Sequence, residues 1–196
     1  KKYAGIIYNR YRQNGFSDAQ ARALVAEHGR ENDFNPDAMF GTHTDSGANR
    51  KENIGITSWQ GDRNPAMRNY LVQKGVWDGK GAMPRTEAVL RAQVDFAVHE
   101  MKTSKRFSRT RNEFLANPNI SQQQAAIVLG DNFVVWDRAG KYLGKNLPKH
   151  LAKRDNYYNI VGGNGGGSNS SQLAQARDRA TGRTGDPFNT NVAKGT

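Results

Sequence analysis

The feature that most restricts the fold of this chain is a helical pattern that stops at Glu31 and gives way to a long turn-rich segment. Apolar and small residues recur at helical spacing from Ala21 to His28. From Asn35 to Ser58 the chain is instead rich in Asn, Gly, Asp and Thr, with short strand-like pieces at 39–40 and 54–56. The pattern predicts a small antiparallel sheet in a mainly helical α+β fold.

Further helix signals surround this segment. A capping box from Ser17 to Gln20 begins the helix that leads to Glu31. A broad apolar stripe over residues 86–102 predicts a central buried helix. Other helices are expected over 2–15, ended by Asn14-Gly15, over 64–75, with Asn64 as N-cap and Pro65 at the first position, and from Ser121 to about residue 134. Residues 136–158 are mixed and basic.

Length and composition predict one domain with a tail. The chain has 196 residues, of which 36% are apolar, enough for one proper core. We expect a folded domain over 1–161, a flexible Gly/Ser-rich linker over 162–171 and an extended tail over 172–196 that is poor in large apolar residues. No apolar run approaches the 18 residues of a membrane span, and the missing initiator Met suggests a trimmed or excised chain.

Several classes of chemistry are excluded by residue type. The chain has no cysteine, which rules out a thiol nucleophile, a disulfide framework and cysteine-ligated zinc. His99-Glu100 begins a possible zinc motif, but Thr103 stands where the second histidine is required. We therefore expect neither a metal nor another cofactor.

The net charge of +11 predicts an anionic partner. Nucleic acid, an anionic membrane surface and the bacterial cell wall all fit this charge. The most basic segment, residues 102–113, contains Phe107 among its cations and fits a solvated loop, an anion-binding rim or a nucleic-acid contact.

Two linked motifs resemble those of known cell-wall enzymes. The run Glu31-Asn32-Asp33-Phe34-Asn35-Pro36 is similar to the signature around the catalytic glutamate of soluble lytic transglycosylases and goose-type lysozymes. Residues 53–61, with Gly55-Ile56 and Trp59-Gln60, resemble the segment that follows it in phage tail lysozymes. Asn32-Asp33 replaces the usual Ser-Gly. The resemblance covers about residues 16–101 and implies a lysozyme-like, two-lobed domain with the β lobe as one wall of a cleft.

The resemblance makes Glu31 the candidate catalytic acid. At a helix C-terminus, beside an apolar wall of Phe34 and Trp59, desolvation and the helix dipole would raise the pKa of its carboxyl group and keep it protonated near neutral pH. A solvated helix end is the alternative. His28, one turn earlier, either bonds Glu31 or is a surface or core histidine.

Asp45 is the candidate second carboxylate, because it follows Glu31 by 14 residues in a segment that should face it. The alternative is an ordinary turn at Asp45-Ser46-Gly47. If Asp45 positions a water, the enzyme is an inverting lysozyme; otherwise a sugar hydroxyl attacks, as in a lytic transglycosylase. Substrate-binding roles are expected for His43 on the same wall, for Thr57 and Gln60 as positioning groups, and for Trp59 as an apolar face for a sugar ring.

The expected activity is cleavage of the β-1,4 bond of peptidoglycan next to N-acetylmuramic acid. The main alternative is a non-catalytic basic module of a virion or secretion apparatus that binds wall polymer or nucleic acid. Of these two ligands, nucleic acid is the less expected. A peptide-bond hydrolase would lack a cysteine, a zinc-spaced histidine pair and a G-x-S-x-G elbow. We expect a virion-associated or exported protein that acts in the periplasm or cell wall, with the tail contacting other assembly proteins.

Overall fold

The computed structural model describes residues 1–44 and 51–162. These residues form a mainly helical domain with one small sheet, which confirms the predicted α+β class. The helices are α1 Lys2–Gln13, α2 Asp18–Asn32, α3 Pro36–Met39, α4 Arg63–Gln73, α5 Glu87–Thr103, α6 Gln122–Val128 and α7 Leu147–Tyr158, and the strands are β1 Thr42–Thr44 and β2 Glu52–Ile54.

Helix α5 lies at the centre of the helical lobe, as its broad apolar stripe predicted. Val89, Leu90, Val94 and Met101 have no exposed surface. Helices α1 and α4 pack against α5, and α1 also contacts α2. Helices α6 and α7 also contact α2, so α2 packs against α1, α6 and α7.

Local chemistry sets both ends of α2. At its start the Ser17 hydroxyl accepts from the Gln20 backbone N–H and the Gln20 side chain accepts from the Ser17 backbone N–H, which completes the predicted capping box. At its other end Asp33 adopts a left-handed conformation with φ 53°, and its N–H donates to the Gly29 carbonyl. The helix therefore ends within two residues of Glu31, as predicted.

The predicted small antiparallel sheet is a hairpin of β1 and β2. Thr42 pairs with Ile54, His43 with Asn53 and Thr44 with Glu52. Side chains of paired residues share a face, so His43 and Asn53 lie on one face and the other two pairs on the opposite face. Residues 45–50, which join the strands and include Asp45, lie outside the described residues, as do residues 163–196 of the predicted linker and tail.

The predicted N-cap of α4 needs correction. Helix α4 begins at Arg63, and Asn64 is not its N-cap. The Asn64 side chain instead donates to Glu52 and accepts from Arg68, because these partners on the hairpin and on α4 compete for it.

The basic segment is also more ordered than a loop, with a 3-10 turn at Lys105–Phe107 and a π-helical turn at Thr110–Leu115. Phe107 anchors it in the core, where 1% of its surface is exposed. Several of its arginines have local partners. Arg106 pairs with Asp62, and Arg109 with Glu113.

Helix α7 was not predicted as a helix. Leu147, Leu151 and Tyr158 follow one face, and Pro148 lies in the first turn, where its missing N–H costs nothing. A Cβ atom on Gly29 would overlap the ring of Tyr157, so glycine in α2 permits the close approach of α7. Within residues 1–44 and 51–162, no helix combines the length and apolarity needed to cross a bilayer.

Candidate active site

Glu31 lies in the last turn of α2 with its side chain 23% exposed. Its Oε2 accepts a hydrogen bond of 2.6 Å from Nη2 of Arg30. Its Oε1 has no hydrogen-bond partner among the described residues. The carboxyl group is therefore oriented through one oxygen and offers the other to a ligand.

Arg30 links Glu31 to a second carboxylate that is fully inside the protein. Its Nε donates to Oε2 of Glu27 at 3.2 Å, and the exposed fractions of the Arg30 and Glu27 side chains are 5% and 1%. Burial raises the pKa of Glu27, and the positive charge of Arg30 only partly opposes this effect. One guanidinium thus bridges a buried acid and a solvent-accessible one.

The indole ring of Trp136 also contacts Arg30. The guanidinium carbon lies 4.2 Å from the ring centroid of Trp136, a cation–π contact. His150 of α7 lies beside this indole, with ring centroids 6.4 Å apart. Burial, and then the charges of Arg30 and Lys153, lower the pKa of His150, so its imidazole is neutral at pH 7.

Three buried polar atoms around Arg30 have no hydrogen-bond partner among the described residues. They are Oε1 of Glu27, Nε1 of Trp136 and Nδ1 of His150. Unsatisfied buried polar atoms are uncommon in proteins. These three atoms are therefore available to bind water or another polar group.

Asp33 ties the end of α2 to α7. It stands where related signatures have glycine, and it holds the left-handed conformation that glycine adopts at little cost. Its carboxylate accepts from Nζ of Lys153 at 2.5 Å and from the Tyr157 hydroxyl at 3.0 Å. These contacts offset the backbone strain and fix α7 beside Glu31.

The second motif is anchored directly to α2. The Ile56 carbonyl accepts from Nδ2 of Asn32 at 3.0 Å and lies 3.1 Å from Nδ1 of His28, and the Ile56 N–H donates to Gln93. Gly55 has φ 74°, and a Cβ there would overlap Gln93 and the ring of Trp59. The two motifs are therefore adjacent in space because α2 binds the backbone of the second.

His28 belongs to the core and does not contact Glu31. Its other ring nitrogen lies 2.8 Å from the Tyr11 hydroxyl. Burial lowers the pKa of His28 to about 4. A neutral, fully bonded histidine here fixes α2 against α1 and the second motif.

The other predicted substrate-binding residues differ in accessibility. His43 and Gln60 are exposed. Thr57 is buried with 3% of its surface exposed, and its hydroxyl has no partner. Trp59 has no exposed surface, and its indole N–H donates to Glu100 at 2.7 Å. An indole enclosed in this way cannot stack on a sugar ring, so its role as a sugar platform has to be corrected to one in the core.

Sequence reasoning missed four residues that surround Glu31 and with it form what we call the Glu31 cluster, namely Glu27, Arg30, Trp136 and His150. Glu27 and Arg30 carry a weak signal, since two opposite charges stand three positions apart on α2, where their side chains can meet. Trp136 and His150 carry none, because they reach this region from distant parts of the chain. The described residues contain no cluster of His, Asp or Glu placed to hold a metal ion.

The comparison with protein families agrees with this geometry. A model of the phage tail lysozyme family matches residues 2–159, which include α1 to α7 and the hairpin. The chain belongs to this family. Neither the curated proteins nor the solved structures compared with it gave a significant match. Membership in the phage tail lysozyme family extends the resemblance from two motifs to nearly the whole described domain.

Proposed function

We propose that this phage tail lysozyme cleaves the β-1,4 glycosidic bond of peptidoglycan next to N-acetylmuramic acid, with Glu31 as general acid. The proposal rests on the hydrogen bonding of the Glu31 carboxyl group, in a chain that matches the phage tail lysozyme family. Arg30 holds Oε2 at 2.6 Å, and Oε1 is free of partners in the described structure at the end of α2. A proton on Oε1 can pass to the leaving oxygen as positive charge develops on the sugar.

Residues around Glu31 would support this step. Arg30 orients the carboxyl group, and Trp136 and α7 hold Arg30. Gln60 and His43 are exposed and remain proposed contacts for sugar or water. The buried Thr57 hydroxyl would reach a ligand only after a local movement, so we assign it no contact.

Asp45 remains the proposed second carboxylate of the hydrolytic route. In that route it activates a water on the far face of the sugar, which requires about 6.5 to 9.5 Å between the two carboxyl groups. Without such a base, the sugar's own hydroxyl attacks and forms an anhydro product. We favour hydrolysis because an acidic residue is present at this spacing.

Digestion of purified wall in oxygen-18 water tests the route. We expect a reducing end that carries the label, and a steep loss of hydrolysis in Asp45→Asn, because an amide cannot accept the proton of the attacking water. Mass spectrometry of the products gives the answer. Asp62→Asn is a matched control, since Asp62 is exposed and pairs only with Arg106 among the described residues. An anhydro product about 18 mass units lighter would refute the hydrolytic route.

We further propose that the positive charge concentrates the enzyme on the anionic wall, in a virion-associated or exported setting. Binding to intact wall should weaken as salt rises, while cleavage of small soluble glycan fragments should change less, because salt screens long-range attraction. Co-sedimentation with wall at increasing salt measures the first effect and a product assay the second. Wall affinity that does not vary with salt would contradict this role.

The non-catalytic alternative receives less support. Arg106 and Arg109 of the basic segment pair with acidic side chains, and Arg111 donates to the carbonyls of Met101 and Ser104. The segment therefore does not present a continuous row of free guanidinium groups to a nucleic acid. Contacts of the tail with other virion proteins remain a proposal about residues outside the described part.

A further inference from the structure

A cavity of about 410 Å³ lies away from the Glu31 cluster. It is bounded by the hairpin residues Thr42, Glu52 and Ile54, by Arg68 of α4 and by the loop that includes Trp77 and Arg85. The hairpin presents to it the face opposite to His43, since side chains alternate along a strand. Its volume is in the range of sites for small ligands.

The cavity carries two guanidinium groups with unused donors. Arg68 donates through Nε to Asn64 at 2.8 Å and through Nη2 to Glu52 at 2.7 Å, so its Nη1 is free of partners among the described residues. Arg85 pairs with Asp37 through Nη2 alone, and its side chain is 57% exposed. Guanidinium N–H groups that are not already bonded can donate charge-assisted hydrogen bonds to carboxylates.

The other walls add one negative charge and one apolar surface. The Glu52 side chain is 51% exposed, and its Oε1 accepts from Arg68 and Asn64. Its Oε2 has no hydrogen-bond partner in the described part of the chain, and can accept from an ammonium group. Trp77 forms the floor beneath Arg68, whose guanidinium carbon lies 5.3 Å from the indole centroid.

This combination suits a ligand with several carboxylates and one amine. A neutral sugar would not use the remaining charge-bearing donors of Arg68 and Arg85 or the free Oε2 of Glu52, and a polyphosphate would meet the negative charge of Glu52. Within peptidoglycan, such charges belong to the short peptides attached to muramic acid and not to the glycan. We propose that this cavity binds the carboxylate-bearing peptide of the substrate. The inference rests on the proposed function, because that function makes peptidoglycan the ligand.

The test compares peptide-bearing glycan chains with the same chains after enzymatic removal of their peptides. Arg85→Ala should weaken binding of the peptide-bearing chains about ten-fold, because a hydrogen-bonded charge contact is lost. It should leave binding and cleavage of the stripped chains unchanged. Isothermal titration calorimetry measures the affinity. Arg91→Ala is the matched control, since Arg91 pairs with Glu87 on α5 and does not line the cavity.

A variant that removes the negative charge of Glu52 gives a second test of the proposal. Glu52→Gln should weaken binding of the isolated peptide when its side-chain amine is free, and should not weaken it when that amine is acetylated. Thermal melting of each variant shows that the fold is intact. Equal behaviour of wild type and Arg85→Ala on both kinds of chain would overturn the cavity assignment while leaving the glycosidase intact. If peptide binding depended on Arg85 but the wild type cleaved neither kind of chain, the cavity assignment would be supported and the proposed activity refuted.

Discussion

Glu31→Gln should lower wall-degrading activity by a factor of about 10² to 10⁴, because an amide has no proton to give to the leaving oxygen. The variant should remain folded. The glutamine side-chain oxygen can still accept from Arg30, and the change removes a partly exposed charge, so the expected cost in unfolding free energy is about 1 kcal/mol or less. Turbidity clearing of purified wall gives the activity, and thermal melting gives the stability.

Glu113→Gln is a matched control for this substitution. Glu113 also forms one ion pair with an arginine, Arg109, and its side chain is 43% exposed. It lies on the π-helical turn and outside the Glu31 cluster. The control should keep near-normal clearing, because only the net charge changes. Near-normal clearing by a folded Glu31→Gln protein would rule out Glu31 as the acid.

Much of the fold could be predicted because local chemistry determines it. The capping box at Ser17 and the turn after Asn32 fix both ends of α2 with groups that are neighbours in sequence. The stripe of α5 predicted a buried helix, since apolar residues on most of its surface cannot face water. The position of Glu31 near the end of α2 could therefore be predicted without knowledge of any tertiary contact.

The surroundings of Glu31 could not be predicted, because they come from distant parts of the chain. Trp136 stacks on Arg30 from 106 positions away, and Lys153 reaches Asp33 from 120 positions away. The second contact requires α7 to lie on α2, and the mixed, basic composition of residues 136–158 concealed the apolar face of this helix. The spacing of residues along the sequence does not show which distant residues will make such contacts.

Trp59 illustrates a different limit. The backbone of the second motif binds α2 at Ile56, but the direction of the Trp59 side chain depends on a turn. Trp59 forms a bridge with Ile54, and Ser58 between them has φ 49°, so the chain reverses and the indole points inward. Glu100 then accepts from the indole N–H in the core. A resemblance specifies which residues are near a site, whereas packing decides which of them reach a ligand.

The packing around Arg30 leads to the second large expected effect. Arg30→Ala should destabilise the protein by about 3 to 5 kcal/mol, because it leaves the buried Glu27 carboxylate without its partner. The double variant Glu27→Gln/Arg30→Met should recover much of the stability that Arg30→Ala loses, since neither replacement leaves an uncompensated charge inside. Chemical denaturation of the three proteins measures these differences.

Measurements of activity distinguish the role of Arg30 in stability from its role in orienting Glu31. In the stable double variant, Oε2 of Glu31 has lost the donor that orients it, so we expect kcat to fall about ten-fold or more with little change in KM. A matched control removes another largely buried ion pair, Arg63 with Glu100, by Arg63→Met/Glu100→Gln. This control should lose stability yet keep its kcat at a temperature where it is folded. If the Glu27/Arg30 double variant kept the wild-type kcat, Arg30 would stabilise the helix end without positioning Glu31, and the free Oε1 alone would suffice for proton transfer.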